Sequence, residues 1–300
     1  MGRTTRRLRA ATRGSALALW QTEHVAALVR VAHPDVEIEP VVVETTADRR
    51  LDIPIAAMGG KGVFVKEVQA ALLDGRADLA VHSAKDLPST TVDGLALAAV
   101  PTRADPRDVL VGATLDALAP GAHVATGSAR RRVQLAHARP DLRFSGLRGN
   151  IATRLQRVGE FDAVVMAKAA LDRLGLTPDV VDVLDADVVV PQVGQGALAI
   201  ECRADDAEVL GLLAAITDAE SRRVLDAERA FLAELGGDCN LPAGAHAVVV
   251  DGAIRLTGVL ASTDERVLRR LTLEGGDGEA IGRDLARRIL AEVERGQPLA

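Results

Sequence analysis

The sequence predicts an α/β protein: two layered α/β regions followed by a small C-terminal α+β region. Strand-length apolar runs alternate with amphipathic segments of helix length from residue 8 to residue 174, the pattern of parallel α/β layers. The pattern restarts after Pro101, which divides this stretch in two. From residue 245 it changes to strand, strand, strand and then a helix at 278–295. A chain of 300 residues, 48% of them apolar, has enough core for two or three domains.

Taken in order, residues 8–12 read as a strand. Ser15 caps a helix over about 16–31 that sets Leu17, Trp20, His24, Ala27 and Leu28 on one face. Residues 36–43 are rich in β-branched side chains. Residues 46–60 mix Asp, Arg, Pro and Gly without periodicity and read as a mobile loop. A helix at 63–74 stops at Gly75, and a buried strand at 78–82 runs into the turn Ser83–Pro88. The second region repeats the alternation. Strands at 122–126, 142–145 and 162–166 are each followed by a helix, at 128–138, 151–158 and 168–174. Ala199–Cys202 is strand-like, and 218–235 is an amphipathic helix carrying Val224, Leu225, Ala227, Phe231, Leu232 and Leu235. There is no internal repeat and no low-complexity tract.

Composition removes several function classes. A net charge of -6 argues against nonspecific nucleic-acid binding, so any anion site must be local. Two cysteines, Cys202 and Cys239, make no disulfide framework, and no cluster spaced for a metal is present. Arg3, Arg6, Arg7 and Arg9 imitate the basic start of a signal peptide, but Arg13 and Gln21 break the apolar run that should follow. No apolar run approaches the roughly 18 residues of a membrane span. The chain therefore reads as cytosolic. Of its 36 cationic side chains only Lys61, Lys66, Lys85 and Lys168 are lysines. Lys61 and Lys85 stand in Gly-rich or turn-like segments, where a compact ammonium suits better than a planar fork.

Five segments carry chemistry. Thr12-Arg13-Gly14-Ser15 ends a strand and starts a helix, presenting free N–H groups and a guanidinium to a carboxylate, or forming an ordinary strand-to-helix turn. Thr126-Gly127-Ser128-Ala129-Arg130-Arg131-Arg132 repeats that physics. Three cations in a first helical turn oppose the macrodipole, which favours a bound polyanion over a solvated basic face. Leu147-Arg148-Gly149-Asn150 with Thr153 and Arg154 starts another helix with two cations, which either face the same cleft or pair with surface acids. His82-Ser83-Ala84-Lys85-Asp86-Leu87-Pro88 places a Lys and a carboxylate where a buried strand ends, the ligand-binding edge of open α/β sheets; a plain surface pair is the alternative. Gly236-Gly237-Asp238-Cys239-Asn240-Leu241-Pro242 puts a cysteine in a Gly-rich turn, a more reactive setting than the strand of Cys202. A Cys–His hydrolase built on Cys239 and His246 lacks a third orienting group. No complete Walker motif or Gly-x-Gly-x-x-Gly fingerprint occurs.

In this setting the sequence resembles the porphobilinogen deaminase (hydroxymethylbilane synthase) family over nearly its whole length. The matching pieces stand in the family's order: Ala11–Ser15 with Leu19-Trp20-Gln21, Gly59-Gly60-Lys61-Gly62-Val63-Phe64-Val65-Lys66-Glu67, His82–Pro88, Leu147–Asn150 with Thr153-Arg154, and Val193-Gly194-Gln195-Gly196 through Glu201-Cys202-Arg203. Each piece is weak alone; together, in order, they are specific. Gly127-Ser128-Ala129 replaces the family's usual Ser-Ser-Leu but keeps the arginine pair, and Asp238 intervenes between Gly237 and Cys239.

The resemblance implies two domains like the halves of periplasmic binding proteins and a small third. These span 1–100 with 197–215, 104–194, and 219–300, the last carrying Cys239. It implies a dipyrromethane cofactor in thioether linkage to Cys239 and stepwise head-to-tail condensation of four porphobilinogen molecules with loss of ammonia. Hydrolytic release then gives hydroxymethylbilane, which is passed to the next enzyme of tetrapyrrole and heme biosynthesis. Asp86 is implied as the catalytic carboxylate. Arg13, Ser15, Lys85, Arg130, Arg131, Arg148, Arg154 and Arg173 are implied to bind carboxylates of cofactor and substrate. Gln21, Ser83, Thr126, Ser128, Gly149, Asn150 and Gln195 complete the binding set, and Lys61 and Phe64 border the mobile loop. The implied enzyme is a cytoplasmic monomer needing no metal, nucleic acid or membrane. A solute-binding or effector-binding module of the same shape needs neither the carboxylate nor a tethered cofactor.

Overall fold

Two five-stranded sheets and one three-stranded sheet organise the computed structural model, which describes residues 5–46, 62, 65–237, 241–262 and 264–296. The chain divides into two compact units, 1–103 with 197–222 and 104–196 with 223–300.

In the first unit, strand β1 (Arg6–Thr12) leads into helix α1 (Ala16–Ala32), then β2 (Val36–Val42), α2 (Lys66–Leu73), β3 (Leu79–Ser83) and β4 (Leu95–Ala99). The chain returns as β10 (Leu198–Arg203) and α6 (Ala207–Ala214). The sheet order is β2-β1-β3-β10-β4, with β1 parallel to β2 and β3 and with β10 antiparallel to β3 and β4. Alternation along the strands gives each face its own core. Leu8, Ala10, Leu79 and Val81 pack with Val25, Ala26 and Val29 of α1 and with Val209 and Leu213 of α6. Ala11 and Ala80 pack with Val68, Ala71 and Leu72 of α2.

The second unit repeats this plan without repeating the sequence. It contains β5 (Asp108–Val111), β6 (His123–Ala125), α3 (Ala129–Ala138), β7 (Arg143–Ser145), α4 (Ile151–Gln156), β8 (Ala163–Ala167), α5 (Lys168–Arg173) and β9 (Val181–Leu184). The order is β7-β6-β8-β5-β9, again three parallel strands followed by an antiparallel one, β5. Helix α1 follows β1 and α3 follows β6, so the Arg13–Ser15 and Gly127–Ser128 turns occupy equivalent places. The remainder, α7 (Ala219–Glu234), β11 (Ala243–Val250), β12 (Ala253–Ala261), β13 (Leu268–Gly275) and α8 (Gly278–Glu294), packs two helices on an antiparallel sheet around Phe231, Ile254, Leu256 and Leu285.

Four expectations change. The sheets are mixed, not all parallel, because the antiparallel strands β5 and β10 sit second from an edge. The buried face of α1 is Gln21, Thr22, Val25, Ala26 and Val29, while Trp20 is 37% exposed and stacks on His24. The helix expected at 151–158 stops at Gln156; it buries no residue fully, and Ile151 and Leu155 pack only partly buried against the core of Ala125, Leu147 and Val164. Strands β4, β5 and β9 and helix α6 have no counterpart among the expected elements. From residue 47 the expected mobile loop lies outside the described residues, as do residues 63 and 64, the first two of the helix expected at 63–74.

Candidate functional site

In the first unit, the C-terminal ends of the neighbouring parallel strands β1 and β3 open into a pocket lined by Arg13, Ser15, Gln21, His82, Ser83 and Asp86 over an apolar floor including Val65, Val68 and Val81. Ligands of open α/β sheets bind at this edge because strand ends and helix starts leave backbone donors there. Ser15 is the N-cap of α1, accepting from Ala18 N. Gln21, buried on α1, donates from Nε2 to Ser83 Oγ at 2.8 Å, which ties the helix to the strand end. After Ser83 the chain makes one 3-10 turn, Ala84–Asp86, anchored by Ala84 N donating to Ala197 O at 3.0 Å. That turn brings Asp86 back over the pocket, and Pro88 follows. Lys85 stands half-buried on the same turn.

The pocket also contains His82, which is not in the expected binding set. His82 is buried, and its Nε2 lies 3.1 Å from Glu201 Oε2 on β10, out of hydrogen-bond alignment. Glu201 is fully buried and accepts from Gln69 Nε2 at 2.9 and 3.2 Å. The signal for both was a polar residue inside an otherwise apolar strand. Cys202, next along β10, is fully buried, and burial pushes its thiol up to about 11, as expected of a cysteine acting as a small hydrophobe.

In the second unit, Ser128 caps α3 by accepting from Arg131 N, and the buried Thr126 hydroxyl accepts from Ser128 N at 3.2 Å. The three cations of that first turn meet the chain's own acids, which corrects the expectation that a polyanion alone explains them. Asp108, fully buried on β5, lies between two of them. Arg131 donates from Nε and Nη2 to Asp108 Oδ1 at 3.0 and 2.7 Å, and from Nη1 to Val165 O. Arg130 Nη1 lies 2.8 Å from Asp108 Oδ2 and donates to Val190 O. Arg132 points away and pairs with Glu265. Gln195 donates from Nε2 to Asp108 Oδ1 at 2.8 Å and to Pro106 O at 2.7 Å. Gly244 of β11 completes this environment, since a Cβ there would lie 2.6 Å from Pro191 O and 3.0 Å from Arg130 Cδ.

Burial alone would raise the Asp108 carboxyl, but the Arg130 and Arg131 guanidiniums outweigh it and hold the group well below the usual carboxylate range. A depressed native value adds stability that is present above the ordinary carboxylate range and is lost as the pH falls toward the native value. Below about pH 4 the unfolded chain takes a proton the folded chain refuses, worth about 1.4 kcal/mol per pH unit. The stability gap between wild type and Asp108→Asn is therefore expected to narrow from pH 7 to pH 3 in denaturant titrations. A gap independent of pH would show that Asp108 is not ionised in the folded chain.

The remaining expected residues occupy helix starts and loops of this unit. Asn150 caps α4, accepting from Thr153 N and Oγ1 at 2.9 and 3.0 Å; Arg154 Nε donates to Gly149 O at 2.8 Å, and Arg148 is exposed. Arg173 Nη2 donates to Gly196 O at 2.7 Å, and burial lowers its guanidinium to about 10, so it stays charged at neutral pH. Lys61, Phe64 and Cys239 lie outside the described residues. Among the described residues no group of three or more His, Cys, Asp or Glu is placed to hold a metal, and no helix is long and apolar enough to cross a membrane.

Residues 8–211 match a family model described as porphobilinogen deaminase, dipyromethane cofactor binding domain, and residues 223–291 match its C-terminal domain. The chain is 47% identical to the porphobilinogen deaminase of Nitratidesulfovibrio vulgaris (strain DSM 19637 / Miyazaki F), covering 94% of this chain and 93% of that one. It is 45% identical to that of Syntrophobacter fumaroxidans, covering 97% and 99%, and 44% identical to that of Brevibacillus brevis, covering 94% and 93%. Among solved structures it is similar to the methionine-binding protein MetQ, at a TM-score of 0.43 and 14% identity, covering 72% of this chain and 92% of that one.

Proposed function

The chain belongs to the porphobilinogen deaminase family, and on that premise we propose which of its side chains carry the reaction. Its activity is the stepwise head-to-tail condensation of porphobilinogen with loss of ammonia, a transferase step of tetrapyrrole biosynthesis that uses a dipyrromethane cofactor.

The cofactor carries two carboxylates per ring, and Arg130 bears on whether this chain fits it. The Nε–H and Nη2–H of Arg130 form one edge of the guanidinium, both buried and without a hydrogen-bond partner. That edge engages a carboxylate through two parallel hydrogen bonds. Buried donors left unmet cost free energy, so a site built this way is completed by an anion. The chemistry supplied by the dipyrromethane is a tethered pyrrole with a free α-carbon, the nucleophile of the first addition.

Asp86 is the catalytic group of this reading. From the pocket at the ends of β1 and β3 it accepts pyrrole N–H bonds, stabilises positive charge as ammonia leaves the substrate, and assists the proton transfers. The observation that carries this is the convergence of Arg13, Ser15, Gln21 and Ser83 on the same pocket, which gives Asp86 donors for a substrate carboxylate and a low-dielectric wall. Arg13, Lys85, Arg130, Arg148, Arg154 and Arg173 hold carboxylates, and Arg131, its donors spent on Asp108 and Val165 O, supports Arg130. Thr126, Ser128, Gly149 and Asn150 keep two helix N-termini in the conformation that aims those cations, and Gln195 steadies Arg130 and Arg131 through Asp108. Lys61 and Phe64 belong to the substrate-binding set, and Cys239 is the attachment point. Residues from about 219 act as a third domain. The enzyme works as a cytoplasmic monomer that hands hydroxymethylbilane on.

The growing chain gains two carboxylates per ring, so charge accumulates where desolvated anions need paired donors. Arg130→Leu and Arg131→Leu are expected to leave the protein without its cofactor. Arg148→Leu is expected to load normally and to slow substrate addition. Intact-protein mass reads the loading and single-turnover kinetics reads the addition. Normal loading and turnover in all three variants would place the anion site elsewhere.

A further inference from the structure

The donors around Asp108 account for themselves in an uneven way. Arg131 spends its Nε–Nη2 edge on Asp108 Oδ1, and Gln195 Nε2 shares the same oxygen at 2.8 Å. The second oxygen, Oδ2, faces Nη1 of Arg130 at 2.8 Å, while Val190 O takes a hydrogen bond from that nitrogen as well. The other groups in contact are neutral: Gln134, which donates to Val190 O and to Arg130 O, and the carbonyls of Pro106 and Val165. The charges that bear on Arg130 are Asp108 and Arg131. Two guanidiniums and one carboxylate thus leave one net positive charge in a place closed to solvent, with Arg130 and Arg131 only 3% and 7% exposed. The unmet donors all lie on the far edge of Arg130.

We propose that Asp108 is the positioning residue of the anion site: it holds the two arginines against each other and reserves the Nε–Nη2 edge of Arg130 for one ligand carboxylate. Without it, two adjacent buried cations repel, and Arg130 loses the partner that fixes its plane. With it, one arginine is neutralised internally, the other is aimed, and the site's charge matches a single monoanion. Gln195 reinforces the arrangement by donating to the same Asp108 oxygen as Arg131. This inference rests on the reading of Arg130 as a carboxylate ligand.

The test is cofactor occupancy in purified enzyme, read by intact mass together with far-UV circular dichroism and thermal melting. Asp108→Asn keeps the shape and removes the charge; occupancy is expected to fall by about tenfold or more, since breaking a buried charge pair costs heavily. Asp108→Glu keeps the charge and displaces it by a methylene, and is expected to fall in between. A merely structural Asp108 would lower the melting temperature without regard to which side chain stands at 130. A positioning residue acts through Arg130, so in an Arg130→Lys background, which has no bidentate edge to reserve, Asp108→Asn is expected to cost less than about threefold. Wild-type loading in a folded Asp108→Asn, or the same loss in both backgrounds, overturns the proposal. Full loading of Arg130→Leu overturns the carboxylate reading beneath it and is distinguishable from either. If Asp108→Asn gives no folded protein, Asp108→Glu decides: native melting with occupancy lowered several-fold supports the assignment, and undiminished occupancy ends it.

Discussion

Serine in place of Cys239 is expected to give a protein of unmodified mass that forms no hydroxymethylbilane. The attachment needs a thiolate, a far stronger nucleophile near neutral pH than a serine hydroxyl. Wild-type protein is expected to exceed its sequence mass by one dipyrromethane and to turn coloured with acidic aldehyde reagent; Cys239→Ser should do neither. Cys202→Ser supplies the contrast. That thiol is fully buried and pushed up to about 11, so its loss should leave adduct and turnover intact. Fully active wild-type protein without the extra mass, or an adduct that persists in Cys239→Ser, would refute the tethered-cofactor assignment.

Asp86→Asn is expected to fold, to load cofactor and to turn over about 10²–10³ times more slowly, the usual cost of removing one electrostatic stabiliser from a preorganised site. The substitution preserves the outline of the 3-10 turn Ala84–Asp86 and its bond to Ala197 O, so stability should change little. It removes the charge that opposes the developing cation and the acid/base function. Asp86→Glu retains both but displaces them by one methylene, so it should be impaired less. Single-turnover rates of the two variants, each with its loading confirmed by mass, make the comparison. If Asn reacted as fast as Asp, the carboxylate would be only a partner for Lys85.

Much of the site was legible because local chemistry announces it. Ser15, Ser128 and Asn150 cap helices, as their side chains and positions suggest, and the turn at Ser83–Pro88 returns Asp86 to the end of β3. What stayed hidden depends on partners far away in sequence. Asp108 sits 23 residues from Arg131 and 87 from Gln195, so nothing near it reveals that it neutralises a guanidinium. His82 and Glu201 meet only because β3 and β10 pair antiparallel. Helix α1 misled for another reason: alanines and leucines surround it, so composition does not choose a side, and packing against β1 and β3 buries Gln21 and Thr22 while leaving Trp20 out. The mixed sheets escaped because the direction of β5 and β10 is set by their pairing with strands distant in sequence, which the periodicity of a strand does not record.

The placement of β10 also sets an order of events on the ribosome. Residues 1–103 supply β1 to β4, yet the strand that joins β3 to β4 arrives only with Leu198–Arg203. Until then the nascent first unit has two open strand edges in the middle of its sheet, and edges of that kind invite wrong partners. The second sheet has no such delay, since all five of its strands lie between residues 108 and 184. Synthesis therefore delivers a complete second sheet before the first can close, and the earlier-made half of the chain is the later to finish.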